Sequence, residues 1–359
     1  MRVEIMSQRI ADPQPKLWML AVFALCAGVV VITKGVDMEW NRVFNRSDSS
    51  FGKAQSSPIV LQETEVVEDA QVATQSAQPV SIEPGGTLLF AGDMQWDRYI
   101  RQMATKEGYD FILSPVRSVL LSADAVIANL EGPVTTFPSK SLTADIGSHD
   151  NYIFTFSPEV LPVLYDHNIR VVNLGNNHIL NFGAEGLAQT EQNLQAAGIA
   201  YFGNTSKETW LADSFLEYDL NGLQVLLVNY NQFLASDMAV LLEEIQQKNT
   251  QYDAVVLYTH WGNEYLTEAS ALYQERAHAF VDVGVDLIIG SHPHVIQQKE
   301  EYRGKTIYYS LGNFVFDQYF DPESRKGWLV EVAFDADGEY TSKEIPTYLE
   351  KNGQTVLVE

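Results

Sequence analysis

Apolar residues follow two alternating periods from about residue 87 onward. Continuous apolar runs, typical of strands covered on both faces, alternate with segments whose apolar residues recur every three to four positions, as in helices. This alternation predicts an α/β fold. The predicted strands lie in TLLFA (residues 87–91), ADAVIANLEGP, IRVVNLGNNH, GLQVLLVNY, YDAVVLYTHWG, VDLIIGSHPH and KTIYYSLGNFVFD, and the predicted helices lie in PEVLPVLYDHN, GAEGLAQTEQNLQAAG and SALYQERAHAFVDVG.

The beginning of the chain has a different pattern. Residues 17–33 form an uncharged run of 17 residues between Lys16 and Lys34. Such a run is at the short end of what spans a bilayer and is longer than an ordinary signal-peptide core. We therefore predict a short cytoplasmic tail at 1–16 and an uncleaved transmembrane anchor at 17–33. A cleaved signal peptide is the alternative.

The segment after the predicted anchor lacks any sustained period. Residues 34–84 are rich in Gln, Ser, Glu and Val. Such a composition buries too little apolar surface to fold, which predicts a disordered, flexible linker. The ordered domain is then predicted at 85–350. We expect a single-pass protein of the cell membrane whose folded domain is extracytoplasmic.

Charge and cysteine content exclude some classes of protein. The 359 residues carry a formal net charge of -24, which argues against nucleic acid as a partner because phosphates attract basic surfaces. The acidity fits an extracytoplasmic surface, or carboxylates that hold cations. The only cysteine, Cys26, excludes an intramolecular disulfide and a thiolate metal site. We interpret Cys26 as apolar packing, with lipidation as the less favoured alternative because Leu25 precedes it.

Polar side chains collect where five predicted strands end. In α/β sheets, ligands bind outside the carboxyl ends of the strands, so these side chains converge if the strands are neighbours. Each one taken alone also has an ordinary explanation, as a turn, a helix cap or a structural histidine. Five such strand ends together predict a functional cleft. The residues are Asp93, then Asn129 and Glu131, then Asn177 and His178, then His260, and finally His292 and His294.

The residue types at these strand ends suit a divalent metal. Oxygen and imidazole ligands without thiolate favour hard or borderline ions, and we predict Mn, Fe, Zn or Mg. There are enough ligands for one complete site or for two ions that share a bridging carboxylate. His178 would remain as a free imidazole that protonates a leaving group or stabilises the transition state, while Asn176 shapes the turn. The predicted ligands are Asp93, Glu131, Asn177, His260, His292 and His294.

Other polar and aromatic residues near these motifs are assigned to the walls of the cleft. For the residues in HWGNEY, simple packing is the alternative to lining the mouth of the cleft. The predicted lining residues are Arg98, Asn129, Trp261, Glu264, Tyr265 and Asn313.

Six motifs in order resemble the CapA family of capsule and poly-γ-glutamate synthesis proteins, over residues 87–330. They are GDMQWDR, NLEGPVT, NLGNNHILNFGAEGL, THWGNEY, GSHPHVIQ and YSLGNFVFDQ. That family in turn resembles the calcineurin-like metallophosphoesterases. The resemblance implies a four-layer α/β/β/α sandwich for the domain at 85–350.

The resemblance also implies roles for single residues. Asp93 matches the first metal-binding Asp, and Glu131 stands about where a bridging Asp belongs. His260, His292 and His294 match the later metal-binding histidines. In the motif NNH, Asn177 matches a metal ligand and His178 the histidine that assists catalysis. Two residues depart from the pattern: Gln95 stands where phosphoesterases have His, and Asn181 where the family often has Asp.

Three hypotheses for the function follow. The first is a membrane-anchored component of capsule biosynthesis or export that acts with other membrane subunits on an anionic polymer, poly-γ-glutamate or polysaccharide. The second is a metal-dependent hydrolase that cleaves a phosphoester, or an amide or ester bond in a polymer, with metal-activated water. The third is a non-catalytic scaffold that kept the fold without the chemistry.

Overall fold

The computed structural model describes residues 85–203, 205, 208–233 and 237–358. The predicted tail at 1–16, anchor at 17–33 and linker at 34–84 lie outside these residues. Among the described residues, none of the helices combines the length and the apolar character needed to cross a membrane.

Strands and helices alternate along the described part of the chain, as the apolar pattern predicts. The last strand lies beyond the predicted domain boundary at residue 350. The strands are β1 Gly86–Met94, β2 Ala125–Leu130, β3 Ile169–Asn173, β4 Ala200–Phe202, β5 Phe215–Leu220, β6 Leu223–Asn231, β7 Ala254–His260, β8 Leu287–Ser291, β9 Lys299–Tyr302, β10 Lys305–Tyr308, β11 Asn313–Val315, β12 Lys326–Phe334, β13 Tyr340–Leu349 and β14 Thr355–Leu357. The α-helices are α1 Arg98–Glu107, α2 Asp110–Leu113, α3 Arg117–Leu120, α4 Val160–Asp166, α5 Gly183–Ala197, α6 Trp210–Asp213, α7 Met238–Lys248 and α8 Ala271–Asp282.

The strands form two mixed sheets. The first has the order β14-β13-β12-β1-β2-β3-β4, with β11 paired to β1, and the second has the order β5-β6-β7-β8-β10-β9. Strands β1 to β4 are parallel to one another, and so are β6, β7, β8 and β10. The carboxyl ends of the parallel strands therefore lie at one edge of each sheet. The prediction of an α/β fold is confirmed.

Successive side chains of each buried strand point to opposite faces of its sheet and pack in different hydrophobic cores. On β1, Leu88 and Phe90 pack between the two sheets, whereas Leu89 and Ala91 pack on the opposite face of the first sheet. On β7 of the second sheet, Val256 lies between the sheets, whereas Leu257 packs in a third core that includes residues of α7 and α8. Because both faces of each sheet are covered, these strands are apolar throughout. The layers run helix, sheet, sheet, helix.

The segment KTIYYSLGNFVFD is not one strand, contrary to the sequence-based prediction. Its first part is β10 in the second sheet, and its last part is β11 in the first sheet. Gly312 turns the chain between them with a φ of 72°, where a Cβ would come within 2.7 Å of the Lys326 carbonyl oxygen. Only glycine tolerates both this backbone conformation and this close approach. The crossing brings Asn313 to the strand ends that carry the predicted ligands.

Candidate metal centre

Residues from both sheets meet at the carboxyl ends of the strands. One ligand atom each from Glu131, His260 and His292 lies within 4.8 Å of the others, and the same holds for Asp93, Glu131 and His294. All five residues are buried. Glu131 belongs to both groups, so its carboxylate stands where it can bridge two ions.

The Asn177 side-chain oxygen and the His260 imidazole lie in direct contact. The Ser291 hydroxyl donates to the Thr259 carbonyl oxygen over 2.7 Å, so it accepts from His260 Nδ1 at 3.0 Å. We infer that Nδ1 carries the ring proton, since each imidazole nitrogen is fixed by its partner. The bare Nε2 then lies 2.8 Å from the Asn177 side-chain oxygen. A cation bound by both atoms would satisfy this arrangement.

His294 is oriented in the same way by Asn313. The Asn313 amide nitrogen donates to the Ser324 carbonyl oxygen at 2.8 Å, which turns its side-chain oxygen toward His294 Nδ1 at 3.0 Å. Nδ1 of His294 also lies 3.2 Å from a carboxylate oxygen of Asp93, and Nε2 lies 3.5 Å from a carboxylate oxygen of Glu131. Asn313 therefore acts behind a predicted ligand, which is how outer residues usually orient a metal-binding histidine.

The unpaired atoms of the centre fit a divalent cation. Both carboxylate oxygens of Glu131 and Nδ1 of His292 are buried without a hydrogen-bond partner. Burial, together with the Asp93 and Glu264 carboxylates, raises the pKa of Glu131 well above its ordinary value. A buried carboxylate without an opposite charge is costly, and a bound ion supplies that charge. The oxygen and nitrogen donor set suits Mn, Fe, Zn or Mg.

Two of the ligand imidazoles, those of His260 and His292, lie in surroundings that favour the neutral form. Burial lowers the pKa of His260 well below its ordinary value, and burial with the neighbouring His294 lowers the pKa of His292 to about 3. Neutral imidazole is the form that binds a metal, so no proton has to be displaced before an ion binds.

His178 lies beside the ligand groups without belonging to them. The Asn181 side-chain oxygen accepts from the Phe154 amide at 2.8 Å and lies 3.2 Å from His178 Nδ1. Nδ1 is therefore the protonated nitrogen, and Nε2 lies 3.9 Å from a Glu131 carboxylate oxygen. Burial lowers the pKa of His178 to about 4. The ring thus presents a neutral Nε2 toward the centre.

Buried asparagines form a hydrogen-bond network that holds Asp93 and the backbone of His178 in place. Asn129 donates to the Asp93 carboxylate at 2.7 Å and accepts from Asn173 at 3.0 Å and from Asn176 at 3.2 Å. The Asn176 side-chain oxygen in turn accepts from the His178 backbone amide at 3.0 Å. Asn176 therefore does more than shape a turn, because it connects the support of Asp93 to the position of His178.

The other predicted lining residues fall at different places. The Arg98 guanidinium pairs with Asp317 and lies over the Phe154 ring, 5.1 Å from its centroid. Together with Glu264 and Tyr265 it lines a cavity of about 590 Å³ beside the centre. Glu264 also forms a third potential ligand group, with His292 and His294.

Trp261 does not line the cleft, so that prediction is corrected. Side chains alternate across the end of β7, so Trp261 turns away from the cleft that His260 faces. The indole is completely buried in the core beneath α8, where it stacks on Tyr309 and donates to the Tyr309 carbonyl oxygen at 3.0 Å. Its role is packing, the alternative named for this motif.

Replacing Trp261 by Phe tests this correction. The variant should lose about 1–3 kcal/mol of unfolding free energy, because the Tyr309 carbonyl is left buried without its donor. Urea unfolding measures the loss, and elemental analysis should show an unchanged ion content. Leu272→Ala, at an exposed position of α8, is the control and should change neither quantity. A variant that loses its bound ion but keeps the unfolding free energy of the parent chain would indicate that Trp261 lines the cleft.

Two residues that shape the centre have little or no signal in the sequence. Ser291 sets the tautomer of His260, and its only signal is its place directly before HPH. Phe233 covers two of the histidines, with ring centroids 5.8 Å from His260 and 4.4 Å from His292. Nothing in the sequence near Phe233 indicates this contact, which depends on how its loop packs over the strand ends.

The fold and the centre together define an α/β protein with two packed sheets and buried residue groups that could hold a metal ion. Residues 87–318 match the family model described as bacterial capsule synthesis protein PGA_cap. The chain therefore belongs to this capsule synthesis family, which confirms the resemblance to CapA proteins.

Relatives of known description support the same assignment. The PGA biosynthesis protein CapA of Bacillus subtilis (strain 168) is 31% identical over 249 residues, which cover 64% of this chain and 63% of that protein. The capsule biosynthesis protein CapA of Bacillus anthracis is 31% identical over 251 residues, or 65% of this chain and 60% of that protein. The chain thus spans less than two thirds of the length of these two relatives.

More distant similarities extend beyond Bacillus. A probable polyglutamine synthesis accessory protein of Mycobacterium tuberculosis (strain ATCC 25618 / H37Rv) is 24% identical over 227 residues, covering 55% of this chain and 56% of that protein. The solved structure of the protein TT1561 of Thermus thermophilus aligns with a TM-score of 0.39 and 12% identity, over 72% of this chain and 99% of that one. The latter likeness is too low to carry an argument.

Proposed function

We propose that this protein acts in the biosynthesis or export of an anionic capsule polymer, poly-γ-glutamate or polysaccharide, through a cleft that binds divalent ions. The observation that carries the proposal is the buried, unpaired Glu131 carboxylate shared by two ligand groups. We further propose that residues 17–33 anchor the chain in the cell membrane, with the folded domain outside the cytoplasm and next to other membrane subunits of a capsule synthesis complex.

Bound divalent ions would allow this acidic protein to bind an acidic polymer. A net charge of -24 repels a polycarboxylate at low ionic strength. One or two ions of Mn, Fe, Zn or Mg would be held by Asp93, Glu131, Asn177, His260, His292 and His294. When bound, such ions polarise an oxygen of the polymer and lower the pKa of water.

Hydrolysis is a second candidate, favoured by the position of His178. This imidazole lies outside both ligand groups, and Asn181 holds its bare Nε2 toward Glu131. A neutral Nε2 can accept a proton from an attacking water and return it to the leaving atom. The bond would be a phosphoester, or an amide or ester within a polymer.

Ion content is the first measurement. The full chain, purified in detergent and dialysed against Mn²⁺, Zn²⁺ or Mg²⁺, should retain one or two divalent ions per chain by elemental analysis. Removing them with a chelator should lower the melting temperature, because Asp93 and Glu131 are left as neighbouring buried carboxylates. A chain that retains no ion, and whose melting temperature is the same with and without chelator, would contradict the proposal.

A further inference from the structure

The cavity beside the metal centre has an unusually aromatic wall. Two of its rings are open to solvent, with Phe320 70% and Tyr152 50% exposed. A soluble domain rarely gathers exposed apolar surface in one place unless a ligand covers it. Its volume of about 590 Å³ lies within the roughly 300–1,000 Å³ of small-molecule sites. The aromatic lining residues are Tyr99, Tyr152, Tyr265, Tyr319 and Phe320.

The rings of this aromatic cavity hold one another in place. Tyr265 meets Phe320 edge to face at 5.3 Å, and Tyr99 meets Tyr319 edge to face at 6.0 Å. The Tyr265 hydroxyl accepts from the Gln318 amide at 3.1 Å. Tyr265 also has a φ of 62°, a conformation that costs energy for a bulky residue and recurs at functional sites. The wall is therefore a built surface.

The aromatic cavity and the metal centre are contiguous. The Tyr265 ring lies 6.1 Å from the His294 ring, and its backbone amide donates to the Pro293 carbonyl oxygen at 2.8 Å. Glu264 lines the cavity, and its carboxylate also lies within 4.8 Å of ligand nitrogens of His292 and His294. A ligand held in the cavity would therefore lie next to the centre.

The charges of the lining do not suit a polyanion. Among the described residues that line the cavity, Arg98 is the only basic one, and it pairs with Asp317, another lining residue. Glu264 adds a further carboxylate, so the formal charge of the lining is negative. In the absence of ions, a γ-glutamyl chain, with one carboxylate per residue, would be repelled here. The remaining polar groups include the amides of Gln102, Asn151 and Gln318, which bind hydroxyl groups well.

We propose that the aromatic cavity binds an uncharged pyranose unit of a glycan chain. The apolar faces of a sugar ring pack on aromatic rings, and amide and carboxylate side chains hydrogen-bond its hydroxyl groups. This inference rests on the proposed function, in which the neighbouring centre acts on a capsule polymer. It adds a contact for a neutral sugar unit next to the proposed ion-binding cleft.

The test compares neutral and acidic oligomers in the absence of ions. Cellohexaose, chitohexaose, maltohexaose and a γ-glutamyl hexamer are each titrated by calorimetry into the full chain in detergent with a chelator. At least one neutral hexamer should bind, and the γ-glutamyl hexamer should not. Phe320→Ala and Tyr152→Ala, at exposed rings, should each weaken the neutral ligand about tenfold, while Leu272→Ala should leave its affinity unchanged.

Three outcomes would overturn the inference. They are no binding of any neutral hexamer, neutral binding that both ring variants leave intact, and ion-free binding of the γ-glutamyl hexamer that Phe320→Ala abolishes. Ion content is measured on the same samples, where Phe320→Ala should match the parent chain. A parent chain that binds sugar but no ion refutes the metal centre alone, and one that binds ion but no sugar refutes the sugar site alone.

Discussion

Glu131→Gln is expected to abolish tight ion binding. The substitution keeps the size of the side chain but removes the only carboxylate common to both ligand groups. Changes to residues that merely orient a ligand cost about 10–100-fold in metal affinity, so loss of this shared ligand should exceed that range. Titration with Mn²⁺ or Zn²⁺, followed by elemental analysis after gel filtration, measures the effect.

The same variant should have the opposite effect on the ion-free protein. Without an ion, the folded chain must either bury the Glu131 charge beside Asp93 or keep the carboxyl protonated. Glutamine avoids both costs, so chelated Glu131→Gln should melt above the chelated parent. The pKa of Glu131 in the folded state lies above the ordinary 4.5, so the unfolded chain releases this proton first as pH rises. The advantage of the variant should therefore grow above about pH 4.5.

A matched control separates this effect from a general loss of charge. Glu243→Gln, on the exposed face of α7, removes the same charge at the surface. Its melting temperature and ion affinity should equal those of the parent chain. Equal ion affinity in Glu131→Gln and Glu243→Gln would contradict the assignment of Glu131 as a ligand.

How far the sequence predicted the fold depended on the burial of each strand. Strands such as β2 and β8 are buried along their whole length, and their continuous apolar runs were recognised. Strand β13 consists mainly of exposed and half-buried residues and contains Pro346, so no apolar run marks it. The break at Gly312 was missed because apolar residues continue on both sides of it. Which sheet a strand joins depends on packing, which a local pattern does not contain.

Residue type and position at strand ends predicted which residues belong to the candidate site. They did not predict which of these residues lie next to one another. Asp93 and His260 stood out because each comes at the end of an apolar run. That Glu131 belongs to two groups follows only once the second sheet packs on the first. Trp261 stands next to a ligand in the sequence yet faces the opposite side of its strand, since neighbours on a strand point apart.

His178→Ala separates the hydrolase from both a binding protein and a scaffold. The imidazole lies outside both ligand groups, so the variant should keep its ions. If His178 transfers protons, hydrolysis of a phosphodiester or of γ-glutamyl polymer with Mn²⁺ should fall on the order of 10²–10⁴-fold. Capsule formation in a strain that carries only the variant should fail. His149→Ala, at an exposed histidine, is the control and should retain both activities.

Variants of Asn181 show whether the orientation of His178 is what matters. Asn181→Leu removes the oxygen that holds His178 Nδ1, so the rate should fall while ion content stays unchanged. Asn181→Asp keeps an acceptor at that position and adds a charge that raises the pKa of the imidazole, so hydrolysis should persist and its pH profile should move upward. If the parent chain retains its ions but hydrolyses no substrate, the result favours a polymer-binding protein over a hydrolase. If the His178→Ala and Glu131→Gln variants both support full capsule formation, the hydrolase and ion-binding hypotheses are excluded and only the hypothesis of a non-catalytic scaffold remains.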